Sequence, residues 1–268
     1  GNSSITHVKT SGTITAGAVT YPNTDGSANQ VLKTDGSGTL SWTTVSSGGA
    51  ITGLSDALVE NNSVYLGNVP SQTDDASSNT SIGLQSLDGL TTGDDNTAVG
   101  YRVLNSNTTG YGNSALGRSA MYNNTTGSNN TAIGFKSLDQ NIVGVENSAL
   151  GYKSLEQNSA GTSNTAIGSG ALRLSKGSQN TALGHAAADL IDTGNKNVII
   201  GADADVGTSD ATNQVVIGFQ AIGAGDNTVQ LGNTSITNVK TSGSITAGAI
   251  TIPNTDGSAN QVLKTDGS

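Results

Sequence analysis

The chain has 268 residues, including 37 glycines and no cysteine; 33% are hydrophobic, 3% aromatic and 12% charged, and the formal net charge is -9. So little apolar bulk excludes an ordinary large globular core, and so low a charge density excludes a highly charged disordered chain. The acidic balance excludes a nucleic-acid scaffold, which needs a dense cationic face, and no run approaches the ~20 apolar residues of a membrane span. A cysteine-free chain fits an exported bacterial protein, or any protein that does without disulfides.

Residues 1–45 read as a connector. Within it, Val31–Thr34, Asp35–Gly38 and Thr39–Trp42 predict strand, turn and strand, because Gly36 and Gly38 supply the positive φ of a tight hairpin turn. Residues 46–60 follow as a linker, where Ser46–Gly49 is a breaker cluster and Ile51–Glu60 predicts a short helix or neck. The connector returns at the other end of the chain: Gly232–Ser268 repeats Gly1–Ser37 with five differences. Residue 1 therefore falls inside a repeat, and residues 233–268 read as a second, truncated connector. The expected organisation is one bead of a longer string.

Between the connectors, residues 61–232 carry a pentapeptide, Asn-Thr/Ser-Ala-aliphatic-Gly, at a nearly fixed interval. Gly83, Gly100, Gly117, Gly134, Gly151 and Gly168 are 17 residues apart, and Gly184, Gly201 and Gly218 follow at steps of 16, 17 and 17. Gly67 and Gly232 close the series. Such a period leaves room for one turn of a solenoid, which must stack on its neighbours to bury anything. With ~4.8 Å between strands, eleven rungs stack to roughly 50 Å.

Counted from its glycine, each rung repeats the same columns of residue types. An aliphatic column precedes the glycine by one residue, from Leu66 through Ile133 to Leu231. A Thr/Ser/Val column precedes it by three and shares the same face. Valine replacing threonine at the block ends predicts that this face points inward. The intervening alanine column, Ala98 to Ala182, then allows another surface to approach. A second apolar column stands four residues after the glycine (Leu87, Leu104, Met121, Leu138, Leu155, Leu172, Ala188 and Ile222), broken by Asp205. The rung is thus expected to hold two short strands joined by polar Asn/Gly turns. Such a roll has one face to pack internally and another to pack on copies of itself. Identical fibrous chains commonly close by cyclic symmetry, so a parallel homotrimer is expected, stable only when assembled.

Chemistry is sparse. His7 and His185 lie in different modules, and Asn238 replaces His7 in the repeat, so no nucleophile–base constellation is expected and no catalytic residue is assigned. Asp94-Asp95 and Asp203-Ala204-Asp205 are calcium-like only in part and read better as solvated turn carboxylates. No metal or cofactor is expected. A threonine ladder suggests ice binding, but sharing a face with the aliphatic column argues against it.

One stripe carries a functional expectation. Tyr101, Phe135, Tyr152 and Phe219 directly follow their glycines, beside Arg102, Lys136 and Lys153, with Arg118 one position off. On an acidic rod this basic, aromatic stripe suits sugars through CH–π stacking, or anionic glycans through charge. The alternative is a protomer seam, its cations meeting a neighbour's carboxylates. Tyr101, Arg102, Arg118, Phe135, Lys136, Tyr152 and Lys153 are the candidate ligand-binding residues.

Asn96–Leu104 (NTAVGYRVL), Asn130–Leu138 (NTAIGFKSL) and Asn147–Leu155 (NSALGYKSL) resemble rungs of the YadA-like head of trimeric autotransporter adhesins. Asn124–Gly134 and Ser27–Trp42 resemble bacterial tail-fibre-like trimers, among them mosaic adhesive trimers of predatory bacteria. About two-thirds of the chain is covered as head and most of the rest as connector, although adhesin heads favour a shorter period of about fourteen. The resemblance implies an all-β chain: a left-handed parallel β-roll in a parallel homotrimer, flanked by β-rich trimeric connectors. It implies a non-enzymatic cell-surface fibre that adheres to host or prey glycans or proteins, with no nucleic acid bound and no membrane insertion by this segment. A phage or injection-system tail-fibre segment, or a passive spacer holding a distal tip, are the alternatives.

Overall fold

A computed structural model of the chain describes residues 14–16, 19–22, 26–27, 30–44, 57–67, 70 and 75–239. The Ser46–Gly49 cluster, residues 51–56 of the expected neck and the second connector beyond residue 239 lie outside them. Two compact units are distinguished, Gly1–Asn233 and Thr234–Ser268. Among the described residues the regular elements are all strands.

In the connector, β1 (Ile14–Ala16) pairs antiparallel with β2 (Val19–Tyr21), and β3 (Gln30–Thr34) with β4 (Leu40–Thr44). The expected hairpin is thus present. Its turn is closed by Asp35, whose Oδ1 accepts the amides of Ser37 at 2.8 Å and Thr39 at 3.0 Å. Those two bonds hold the Asp35 carboxyl down to about 2. The last residues of the expected neck form a strand instead: β5 (Ala57–Glu60) folds back antiparallel on β6 (Ser63–Leu66) across Asn61 and Asn62, both at positive φ. This hairpin covers the first rung.

Ten three-residue strands follow: β7 (Thr80–Ile82), β8 (Thr97–Val99), β9 (Ser114–Leu116), β10 (Thr131–Ile133), β11 (Ser148–Leu150), β12 (Thr165–Ile167), β13 (Thr181–Leu183), β14 (Val198–Ile200), β15 (Val215–Ile217) and β16 (Val229–Leu231). From β6 to β16 every neighbour is parallel and in register, so like stands on like: Thr131 on Ser148, Ala132 on Ala149, Ile133 on Leu150. The solenoid reading with ~17-residue rungs is what the chain adopts.

Three details of the rung differ from expectation. The strand is turned the other way: Ala98, Ala132, Ala166 and Ala182 are fully buried, whereas Ile82, Leu116, Ile133, Leu150, Ile167 and Leu183 are 38–49% exposed, beside exposed Thr80, Thr97, Ser114, Thr131 and Ser148. The roll is too thin for aliphatic side chains on both sides of its core. The opposite limb already fills it with Leu87, Leu104, Met121, Leu138, Leu155 and Leu172, all fully buried. Only a methyl fits between. The two limbs touch at Ser81 and Ser86, whose hydroxyls are hydrogen-bonded across the core. In the rung where Asp205 stands in the leucine column, the strand limb carries buried Ile199 in place of alanine, which keeps that part of the core filled.

The second limb is also not a strand. Its residues two and four after the glycine sit at positive φ, as at Lys136 (55°) and Leu138 (52°) or Lys153 (55°) and Leu155 (52°). This breaks the extended run while the amides still bond rung to rung: Leu104 N donates to Ala120 O and Leu138 N to Ser154 O, each at 3.0 Å.

The asparagines expected in polar turns are core residues. Asn96, Asn113, Asn130, Asn147, Asn164 and Asn197 are buried at the start of their strands. Asn130 Nδ2 donates to Asn113 Oδ1 at 3.1 Å and to Gly144 O at 2.8 Å, while its own Oδ1 accepts Asn147 N at 2.9 Å and Nδ2 at 3.1 Å. A second ladder rises through Asn107, Asn124, Asn141 and Asn158. It ends at Ser175, in the shorter 16-residue rung, where Asn158 Oδ1 and Ser175 Oγ find no protein partner.

Candidate ligand groove

The backbone after each glycine decides what the rung shows to solvent. Positive φ at the second residue turns the chain sharply away from the sheet, so the first two side chains of every limb project outward, stacked on those of the next rung. Seven of the predicted site residues come together in this way. Phe135 and Tyr152 are stacked with centroids 5.5 Å apart and planes 11° apart. The Arg118 guanidinium lies 5.7 Å from the ring centroids of both Tyr101 and Phe135, and Arg102 lies 5.0 Å from Tyr101. Lys153 Nζ stands 5.7 Å from Tyr152. These contacts form one continuous row, Arg102, Tyr101, Arg118, Phe135, Tyr152 and Lys153, with Lys136 beside it in the hollow that Arg102 and Arg118 line. Phe219 is exposed several rungs away and does not join it.

The floor beside the row is polar. Lys136 Nζ stands 4.0 Å from Asp139 Oδ2, and Lys153 Nζ stands 3.1 Å from Glu156 Oε1. The lysines therefore meet carboxylates of their own rungs. Burial pushes the Asp139 carboxyl up, opposed by the hydrogen bond from Gln140 Nε2 at 2.7 Å and by the Lys136 charge. Arg102 Nε donates to Gln85 Oε1 at 2.7 Å.

A hollow of about 360 Å³ lies between Arg102, Arg118, Tyr122 and Lys136. A second, of about 630 Å³, runs on past Lys153 and Glu156 to Arg173 and Lys176. Lys136, Asp139 and Gln140 line both, so they form one open trough along the turn limb. Arg173 and Lys176 escaped the sequence reading because they stand five and eight residues after their glycine, in columns otherwise acidic or neutral. The usable signal was Arg173 occupying the column of Asp139 and Glu156 with the sign reversed.

The carboxylates weighed as calcium ligands have other partners. Asp94 Oδ1 accepts Ser77 N at 2.7 Å and its hydroxyl at 3.0 Å. Asp203 Oδ1 is 3.2 Å from Nδ1 of the exposed His185. Asp205 accepts Val206 N at 2.8 Å and Leu190 N at 3.0 Å. Burial, with the Asp189 carboxyl close by, raises Asp205 to about 7. Among the described residues, no three metal-binding side chains cluster and no helix is long and apolar enough to cross a membrane. Searches of protein-family models, curated proteins and solved structures find no match to this chain.

Proposed function

We propose that this chain is a segment of a non-enzymatic, trimeric surface fibre that adheres to glycans or proteins on another cell. In this reading three parallel copies, each a left-handed coil as in the heads it resembles, bring their flat strand faces together and turn their other limbs outward. The observation that carries it is the exposed ladder from Ile82 to Leu231, a straight aliphatic column on a roll that has already filled its own core. Uncovered apolar stripes of this length mark association surfaces, and in-register repetition makes each protomer's stripe complementary to an identical one. The row of rings and cations lies on the turn limb and stays available to a ligand. The repeated connector accords with a string of such beads on the cell surface.

The test is solution mass by light scattering over a dilution series. About three times 26.6 kDa is the expected result, and a folded monomer at all concentrations would overturn the trimer.

A further inference from the structure

We propose that the trough on the turn limb binds a linear polyanionic polysaccharide lengthwise, one acidic sugar per rung. The inference deepens the adhesive reading and rests on it in one respect: the trough must stay outside the protomer contacts. Five successive rungs each contribute one cation, namely Arg102, Arg118, Lys136, Lys153 and Arg173. At ~4.8 Å per rung the row spans roughly 19 Å, and its step is comparable to the advance of one pyranose along a glycan chain.

The charge is concentrated and partly uncommitted. With Lys176, six of the chain's 11 lysines and arginines line the trough, on a molecule of net charge -9. Only two carboxylates, Asp139 and Glu156, line it with them. Each is taken by the lysine three residues before it. Lys176 is paired with Asp192 at 2.7 Å. Arg102, Arg118 and Arg173 have no carboxylate within ion-pair distance among the described residues.

Arg118 is held between two ring faces, which fixes its guanidinium while leaving hydrogen-bonding edges for a bidentate anion. The ligand class follows from what stands beside the charges. Tyr122 lines the trough and half-exposed Tyr152 stands beside Lys153 at its edge, giving apolar ring surface for pyranose C–H groups, and Gln140 and Gln157 offer amides to hydroxyls. The acidic remainder of the roll opposes any polymer wide enough to leave the trough.

The experiment uses the full chain and three probes at low salt: dextran sulfate, polygalacturonate and uncharged dextran, with mass followed by light scattering throughout. Binding of either charged polymer and not of dextran is expected, and the stronger of the two tells sulfate from carboxylate. The variant Arg118→Ser/Arg173→Ser should weaken that binding on the order of tenfold at unchanged mass, and Lys196→Ala, outside the trough, should leave it unchanged. Equal retention of dextran, no binding of either polyanion, equal loss in Lys196→Ala, or a fall in mass in the double variant would overturn the proposal. A chain that binds the polyanion as a 26.6 kDa monomer would uphold the trough and sink the fibre reading instead.

Discussion

At Gly134 the backbone φ is 134°, and a methyl group there would come within 2.7 Å of the carbonyl carbon of Gly151 on the next rung. Two reasons for glycine coincide, a conformation that side chains rarely adopt and backbone packed against backbone. Gly134→Ala should cost at least ~3 kcal/mol in denaturant unfolding. Gly36→Ala, at φ 81° with open space around it, should cost only about 1 kcal/mol; equal costs would refute the stacking argument. Asp205 makes a second case. Its carboxyl is raised to about 7 in the fold, against an ordinary value of 3.8 for the unfolded chain. The Asp205 contribution to stability is therefore full below about pH 4 and falls as pH rises towards 7, because the unfolded chain gives up a proton that the folded chain keeps. Asp205→Asn keeps one acceptor oxygen, for the Leu190 amide, gives up the one that takes the Val206 amide, and removes the titration. Stability against pH should flatten between 4 and 7 in this variant relative to the parent; an unchanged slope would show that another group, such as the buried Asp139, carries it.

One rung is too short to hold itself, and its elements are legible in the sequence to different depths. The spacing of Gly83 to Gly218 carries rung length and register, because stacked glycines must repeat at the rung period. Alternation along Thr131-Ala132-Ile133 separates two faces but does not say which is inside. Bulk is a poor guide when the leucine limb opposite leaves room for a methyl alone. The asparagines misled for a related reason. In one rung Asn130 is indistinguishable from a turn residue, and only stacking supplies the Asn113 and Asn147 partners that make its burial affordable. Asn130→Ala would strand the Asn147 amide and the Gly144 carbonyl in the core, at a cost of about 3 kcal/mol. Asn129→Ala, one residue earlier and exposed, should cost only about 1 kcal/mol, the preference for asparagine over alanine at its φ of 58°. Thermal melts of the two variants decide whether the ladder is a core element. The site was half legible: ring and cation columns follow the glycine by one and two residues, but Arg173 and Lys176 reach the trough from other columns.

A chain that fills its own core changes what the proposed assembly would be for. Had the leucine limb faced a neighbour, the lone chain would have been open along its length and unable to fold. With Leu87 to Leu172 enclosed by the alanine column and flanked by asparagine ladders, both limbs are hydrogen-bonded without a partner. What remains uncovered among the described residues is the aliphatic stripe on the strand face, and in the proposed trimer covering it would serve association rather than folding. Folding and assembly should therefore separate under mutation. Replacing Ile133, Leu150 and Ile167 by serine alters three side chains that already face solvent, so the roll loses little of its internal packing and gains hydroxyls like those of Thr131 and Ser148 beside them. The expected product keeps the β-rich circular dichroism of the parent but has a mass of 26.6 kDa at all dilutions. Loss of the circular dichroism signal together with the mass would mean that the stripe is required for folding and that the single-chain core is insufficient. An unchanged multimer would move the protomer contact to another face, the trough included, and bring back the seam reading of Arg118 and Lys136.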